Sequence, residues 1–561
     1  MSEVTVIEVD VIIPVHNASS TIKEAVSSAL HQEIPSSPQQ TPSPLLEAFL
    51  KKYSISVTVC CYDDGSEDES LGILQQIKSS RSEQRNRTQT GDATVGKPTE
   101  KSVEQLIPSR LILGYSKDGK ARGAGFARNR AIEMNNPLLE TKFDDSSCTE
   151  ESGSIKFLCL LDSDDVMHKH RIIEQTLYMM SIVEDENRER TILGSTFNRD
   201  PPGSTWHYSS WANNLTDQRL MLERYREITI LHPTWFMPLA VWLRVGGYIE
   251  APPFDSRDTV QDICSRNKSS GSPSLEKCLI HPKFDSLSSL RLAEDLRFFH
   301  AHLQLNGILR LHRTSLATVG NKALPLVMYR HTESNQSQSF RTSRKLLLQL
   351  RSLAFQNSVI RIDPHWNTDE KRFVIWGCGR DGKDFFKSLD QDIQERVYCF
   401  VDVDAKKLNA GYYVHNTSDR DSGMKETCNV TESKKRRGNA RKIPILHFSF
   451  LISDPQVQQA VRSEWVSNCT TEEKTNFGRI DKSKSDNTPC SPKISRPKKK
   501  QKKHPTNSPL VTILKDRGLD RKLLCELPVV VCVAMYRTNG ILERNVGKIG
   551  RVEGKDIWHF S

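Results

Sequence analysis

The 561-residue sequence predicts two consecutive α/β domains, the first a mainly parallel sheet between helices. Three observations carry this. Apolar runs of strand length alternate with helical patterns through the first 180 or so residues, as a parallel sheet covered on both faces requires. Two of those runs end in acidic turns, Asp63-Asp64-Gly65-Ser66 and Asp162-Ser163-Asp164-Asp165. Beyond residue 370 the pattern restarts with a strand and a glycine-led helix, so the boundary falls near 360 to 370, with domains at 1–360 and 361–561.

The elements follow in order. Val9 to Ile13 is a buried-strand run broken by Pro14-Val15-His16-Asn17, and Ser19 or Ser20 can cap the helix that continues to about Leu30. Ile55 to Cys61 is a second strand ending at Asp63-Asp64, and Leu111 to Leu113 a third. Arg122 to Met134 reads as a helix entered through glycines, and Phe157 to Leu161 as the strand that delivers the Asp cluster. Arg171 to Met180 and Leu220 to Arg226 read as helices. His232 to Phe236 reads as an aromatic turn and Leu290 to Leu303 as an amphipathic helix carrying Glu294-Asp295. Pro325 to Tyr329 is a strand ending at Arg330-His331. In the second domain Arg372 to Trp376 and Val397 to Val401 are strands, which Ile443 to Ile445 and Val529 to Val533 extend into a small sheet.

Bulk composition narrows the class. Hydrophobic residues make up 37% of the chain, low for a compact protein of this length, so part of it reads as polar insertion. Such segments fall near 80–105, 256–280, 413–442 and 466–508. The net charge of +10 is concentrated in Lys434-Lys435-Arg436-Arg437 and in the run Pro497 to Lys503, both within insertions. The folded domains therefore do not read as a basic nucleic-acid platform, and no nucleic-acid partner is expected. Nothing approaches the roughly 20 apolar residues of a membrane span, and no leader of signal-peptide type opens the chain. Thirteen scattered cysteines without a C-x-x-C pair fit reduced thiols, and the expectation is a cytoplasmic protein.

Several short segments, in order, carry a resemblance: Ile13-Pro14-Val15-His16-Asn17, Asp63-Asp64-Gly65-Ser66, Ala127-Arg128-Asn129-Arg130-Ala131, Leu161-Asp162-Ser163-Asp164-Asp165, Gly246-Gly247-Tyr248 and Glu294-Asp295-Leu296. Together they resemble the family-2 glycosyltransferases of GT-A fold over about the first 340 residues. The resemblance implies a metal-dependent, inverting transfer of one sugar from a UDP-sugar, with N-acetylglucosamine as the donor sugar. The acceptor is an unknown glycan, protein or small molecule. It further implies Pro14, Asp63, Asp64, Arg128, Asp162 and Asp164 as contacts of the nucleotide sugar. Asp162 and Asp164, with His331, would hold Mn2+ or Mg2+, and Asp295 would be the base that deprotonates the acceptor hydroxyl.

The residues themselves fit these roles and also plainer ones. Clustered carboxylates repel and need a cation or solvent, so Asp162 and Asp164 suit a metal-diphosphate site, although a lone Asp-x-Asp is most often a solvated turn. Asp63 and Asp64 offer acceptor-only oxygens to a ribose or uracil, or a turn and helix cap. Arg122, Arg128 and Arg130 surround a helix start, which with a guanidinium is a ready diphosphate site; each is equally an ordinary surface arginine. A lone histidine such as His331 is more often structural than a ligand. Asp295 is a base or part of a charged helix face. Trp235 and Trp242 stack on a sugar or fill the core. An inactive nucleotide-sugar-binding scaffold is the alternative reading of this domain.

In the second domain Gly377-x-Gly379-x-x-Gly382 follows a strand, and Asp402 stands at the next strand end about 20 residues on. This is a dinucleotide-binding fingerprint and makes the domain Rossmann-like. It binds a cofactor such as NAD, or merely needs glycine at its first turn.

Overall fold

The computed structural model describes residues 4–35, 43–89, 105–136, 155–250, 292–313, 315, 325–331, 342–367, 371–415, 440–477, 514–533, 538 and 540–560. Both basic runs and most of the expected insertions lie outside these residues. Helices Ser70–Gln89 and Pro455–Phe477 run into two of the segments expected as insertions. By contacts the chain divides into two units, 1–358 and 359–561.

The first unit is built on seven strands: β1 (Thr5–Val15), β2 (Tyr53–Asp63), β3 (Ser109–Tyr115), β4 (Ile155–Leu160), β6 (Thr191–Ser195), β8 (Phe236–Pro238) and β9 (Ile308–His312). They pair in the order β9-β6-β8-β4-β1-β2-β3, all parallel except β8. A small second sheet sets β10 (Val327–Arg330) between β5 (Val166–Met167) and β7 (Phe197–Asp200). The central strands are apolar on both faces because helices cover both; Val9, Val11 and Ile13 enter one core and Ile12, Leu158 and Leu160 the other. The α/β, mainly parallel architecture is thus the one the sequence predicts.

Two places differ in detail from the expectation. The aromatic turn is present as a 3-10 turn at His232–Thr234, but it leads into the antiparallel strand β8, too short to show any periodicity. The helix after β1, α1 (Ile22–Leu30), has no side-chain cap from Ser19 or Ser20; Thr21 is its N-cap. The amides of Ala18 and Ser19 donate instead to Ser70 Oγ and Asp68 Oδ2 from the next βα turn. These bonds tie the turn before α1 to the next βα turn, while the first helical amide, Ile22, donates to the Ala18 carbonyl at 2.9 Å.

Register decides where the chemistry collects. Pro14 lies opposite Tyr62 and Val15 opposite Asp63, so β1 and β2 end together. Leu160 lies opposite Ile12, and the Leu161 amide donates to the Ile12 carbonyl at 3.1 Å. Both acidic turns and the Pro14–Asn17 turn therefore share one carboxyl edge, where open α/β sheets bind ligands.

The second unit carries β11 (Phe373–Trp376), β12 (Val397–Asp402), β13 (Tyr412–His415), β14 (Arg441–His447), β15 (Val529–Val531) and β16 (Ile557–His559). Their order is β13-β14-β12-β11-β15-β16, parallel except for β13. The chain leaves β11 first to one side and then to the other, the doubly wound order. Its core gathers Trp376, Val401, Leu446, Phe448 and Val531.

Candidate active site

The site begins with a helix. In α2 (Ala124–Met134) Arg128 and Asn129 are buried, which is unusual for polar residues on a helix, and their partners explain it. Asn129 Nδ2 donates to the carbonyl of Tyr248, and its Oδ1 accepts from the Tyr248 amide and Trp242 Nε1. It thereby fixes the Gly246-Gly247-Tyr248 turn that ends α4 (Leu239–Val245), which comes after α3 (Trp206–Asn214) in the chain. Gly247 has φ +80°, and a Cβ there would lie 3.1 Å from Asn129 Oδ1, so the turn needs glycine.

Arg128 uses both ends of its guanidinium. Nη1 donates to Glu294 Oε1 at 2.7 Å, Nη2 to Asp162 Oδ1 at 2.8 Å, and the group lies over the Tyr248 ring. Burial opposes its charge, but the two carboxylates outweigh burial and raise its pKa. The side chain expected at the nucleotide sugar is thus the tie between the acidic turn and the helix that carries Asp295.

That helix, α5 (Glu294–Gln304), starts four residues later than the sequence pattern suggests. Ala293 before it adopts φ +56°, ψ +40°, a left-handed conformation costly for a residue with a Cβ. The sharp entry puts Glu294 and Asp295 in the first helical turn, and both line the same cavity as Arg128 and Asp162. Burial first, and then the Glu294 carboxylate, push the Asp295 pKa up to about 7. Asp295 Oδ1 accepts the Leu296 amide at 2.7 Å.

The acidic turn gathers two largely buried carboxyl groups whose charge is opposed by their surroundings. Burial and then Asp162 raise Asp164 to about 7; burial and then Asp164 raise Asp165 well above the carboxylate range. Oδ2 of Asp164 and Oδ2 of Asp165 are buried without a hydrogen-bond partner among the described residues. Asp165 Oδ1 accepts the Arg330 amide at 2.9 Å, which makes that carboxylate an anchor for β10.

An unpartnered carboxylate oxygen such as Asp164 Oδ2 is what a divalent cation would satisfy, so Asp164 together with neighbouring Asp162 offers the kind of oxygen donors that Mn2+ or Mg2+ takes. Among the described residues no group of three His, Cys, Asp or Glu side chains forms a metal cage. Two carboxylates with the remaining positions left to phosphate and water is the usual magnesium arrangement. His331 follows β10, exposed, with its amide donating to the Asp200 carbonyl at 2.7 Å, and among the described residues it forms no three-ligand group with the pair.

At the other end of the edge, Asp64 Oδ2 accepts the amides of Arg122 (2.8 Å) and Gly123 (2.6 Å), holding the approach to α2. Burial raises the Asp64 pKa despite these bonds. Asp63 Oδ1 accepts the Ser66 amide at 3.0 Å. Asp63 Oδ2 and Asp64 Oδ1 remain buried and unpartnered among the described residues. Gly65, at φ +72°, passes so close to Gly119 that a Cβ would lie 2.7 Å from its carbonyl oxygen. Arg122 pairs with Asp118, and Arg130 with Glu133 and Glu250.

The cavity of about 340 Å3 also takes in residues the sequence did not single out: Arg199, Tyr208, Glu227 and Tyr329. They come from β7, from α3, from a turn and from β10, and no local motif joins them. Tyr329 lies opposite Arg199 in the parallel pairing of β10 with β7, two strands far apart in the chain. Trp235 and Trp242 are core residues: Trp235 is fully buried with Nε1 donating to the Ile230 carbonyl, and Trp242 serves Asn129.

In the second unit the glycine loop is closed on itself. Gly377 has φ +109°, and a Cβ on Gly382, in α6 (Arg380–Ser388), would lie 1.8 Å from the Gly377 carbonyl oxygen. Asp402 Oδ2 accepts the Cys378 amide (2.7 Å) and Lys407 Nζ (2.9 Å), while Oδ1 accepts the amides of Val403 and Asp404. A carboxylate has about four acceptor positions, and all are used within the protein.

No protein-family model matches the chain. Among solved structures it is similar to S. aureus TarS residues 1–349, at 13% identity and TM-score 0.29, covering 70% of this chain and 84% of that one. The same fragment in complex with UDP gives the same values. A further crystal structure of S. aureus TarS matches at 14% identity and TM-score 0.30, with 70% of this chain on 50% of that one. At such scores the likeness identifies neither ligand nor reaction. Among the described residues no helix is long and apolar enough to cross a membrane.

Proposed function

We propose that the first unit is a metal-dependent inverting glycosyltransferase that moves a single sugar from a UDP-sugar to an acceptor hydroxyl. The observation that carries this reading is the meeting, in one cavity at the carboxyl edge, of Asp162 from the acidic turn and Asp295 from α5. Asp162 and Asp164 would hold the cation, whose chemistry is to offset charge on the departing nucleoside diphosphate. Asp63 and Asp64, with unpartnered oxygens beside Pro14, suit the hydrogen-bond donors of a uridine.

Asp295 supplies the base. With Oδ1 occupied by the Leu296 amide, Oδ2 takes the acceptor proton as the acceptor oxygen bonds to the anomeric carbon and the bond to the diphosphate breaks. One displacement inverts that carbon. A pKa near 7 keeps much of the group ionised at neutral pH while leaving it basic enough to work, where an ordinary carboxylate would be a far weaker base. Arg128 acts through others, holding the acidic turn and the base helix in register. N-acetylglucosamine is the donor sugar we propose, on the sequence resemblance.

The test is thermal-shift titration of the whole protein with UDP and a panel of UDP-sugars, with and without manganese, followed by transfer assays on Asp295→Asn. The reading expects manganese-dependent stabilisation by a UDP-sugar, and an Asp295→Asn protein that binds the donor but does not transfer. Full transfer by Asp295→Asn would remove the assigned base, and absence of any nucleotide response would remove the donor site.

A further inference from the structure

The acidic turn is held from two sides. Arg128 holds Asp162 on the cavity side. On the far side stands Arg330, the last residue of β10, which does not line the cavity. Its contacts reach three separate parts of the fold. The backbone amide donates to Asp165 Oδ1 at 2.9 Å, and Nη1 donates to the Asp164 carbonyl at 3.3 Å. Nε reaches Asp200 Oδ2 at 3.4 Å at the end of β7, and Nη2 pairs with Glu24 in α1. Main chain and side chain of one residue thus grip two successive residues of the turn, while the rest of the guanidinium is anchored on the strand and helix that flank it.

We propose that Arg330 is the positioning residue that sets the Asp162–Asp165 turn for the cation and donor diphosphate. The inference rests on the glycosyltransferase reading above.

The physical case is one of geometry against repulsion. Three carboxylates within four residues repel one another, and a turn left to itself relaxes by spreading them into solvent. A guanidinium donates from three nitrogens spread over a fixed plane and so reaches the turn's backbone and two flanking carboxylates at once, whereas an ammonium donates from a single point. Nothing in the motif itself prescribes an arginine some 165 residues away, so this half of the site is set by topology: β10 pairs with β5, which directly follows the acidic turn.

The experiment uses full-length wild type, Arg330→Met and Arg330→Lys. Manganese is titrated at fixed UDP, and the metal concentration giving half-maximal thermal stabilisation is read, alongside melting temperatures without ligand. Loss of the grip is expected to raise the half-saturating manganese concentration about tenfold in Arg330→Met, the size of one charge-assisted hydrogen bond. Arg330→Lys should fall between it and wild type. A lower melting temperature with unchanged manganese half-saturation would mean that Arg330 only stabilises the fold and would overturn the proposal. Should Arg330→Met not fold, Glu24→Gln loosens the same clamp from its exposed end. It should shift the half-saturation in the same direction, and an unchanged value for both it and Arg330→Lys would likewise overturn the proposal. If wild type itself gave no manganese-dependent response to UDP, the glycosyltransferase reading would fail and this inference with it, an outcome distinct from variants that match a responsive wild type.

Discussion

Arg128 and Asp162 meet at 2.8 Å from α2 and the acidic turn, and the other arm of the same guanidinium meets Glu294 at 2.7 Å. One buried cation thus joins two elements that are far apart in sequence. Without it, Asp162 and Glu294 would face each other across the cavity as two uncompensated charges. The pair is therefore worth more as a constraint on geometry than as a source of stability, because two desolvated ions gain little over water once their burial is counted.

Removing that tie is expected to be costly. Arg128→Met leaves two partly buried carboxylates unpaired and should destabilise the protein by about 3 kcal/mol. Arg128→Lys keeps the charge but loses the fork, so it should recover only part of that. Chemical denaturation of the three proteins measures both.

The raised carboxyl groups are expected to make stability depend on pH, Asp164 and Asp295 among them. Asp164 and Asp295 are raised to about 7 from an ordinary value of 3.8. Between those values the folded protein retains protons that the unfolded chain has released, so their contribution to stability falls as pH rises from about 4 to about 7. In metal-free buffer, Asp164→Asn and Asp295→Asn should each weaken the decline in melting temperature across that window. A wild-type profile that either variant reproduces unchanged would count against the raised values.

The rate should carry the opposite signature. A base must be ionised, so sugar transfer falls as pH drops below about 7. Burial and the Glu294 charge both hold Asp295 up, so Glu294→Gln should move the acid limb to lower pH. Initial rates from about pH 5 to 9 for the two proteins decide this.

Trp235 separates core from site. It is fully buried, and its ring packs near Phe298, Phe299 and His232. Trp235→Ala should cost about 3 to 5 kcal/mol by leaving a cavity. A stable Trp235→Ala protein that had lost only donor binding would return the residue to the sugar.

The second unit gives the plainest expectation. With every acceptor position of Asp402 occupied by Cys378, Val403, Asp404 and Lys407, NAD should produce no thermal shift. Gly382→Ala, which drives a methyl group into the Gly377 carbonyl, should disrupt the unit's folding. Circular dichroism melts of the full chain report the second effect.

The sequence made the sheet legible because buried parallel strands are continuous apolar runs, and Val9 to Ile13 or Phe157 to Leu161 can hardly be anything else. The acidic turns were legible as strand ends for the same reason. What stayed hidden depends on distance along the chain. β8 has three residues and no period. Arg199 and Tyr329 meet only through the pairing of β7 with β10. The double ion pair of Arg128 and the four-way grip of Arg330 require partners that no local pattern names. The glycines of the fingerprint were readable, but the saturation of Asp402 was not, since it depends on where Lys407 turns back.

The central claim, that the acidic turn holds the cation of a UDP-sugar site, is tested most directly by calorimetric titration of UDP. Wild type and Asp164→Ala would each be titrated in manganese and in chelator. Wild type should bind UDP markedly more tightly with manganese, and Asp164→Ala should lose that difference. UDP binding that is indifferent to manganese in wild type, or equally manganese-dependent in Asp164→Ala, would contradict it.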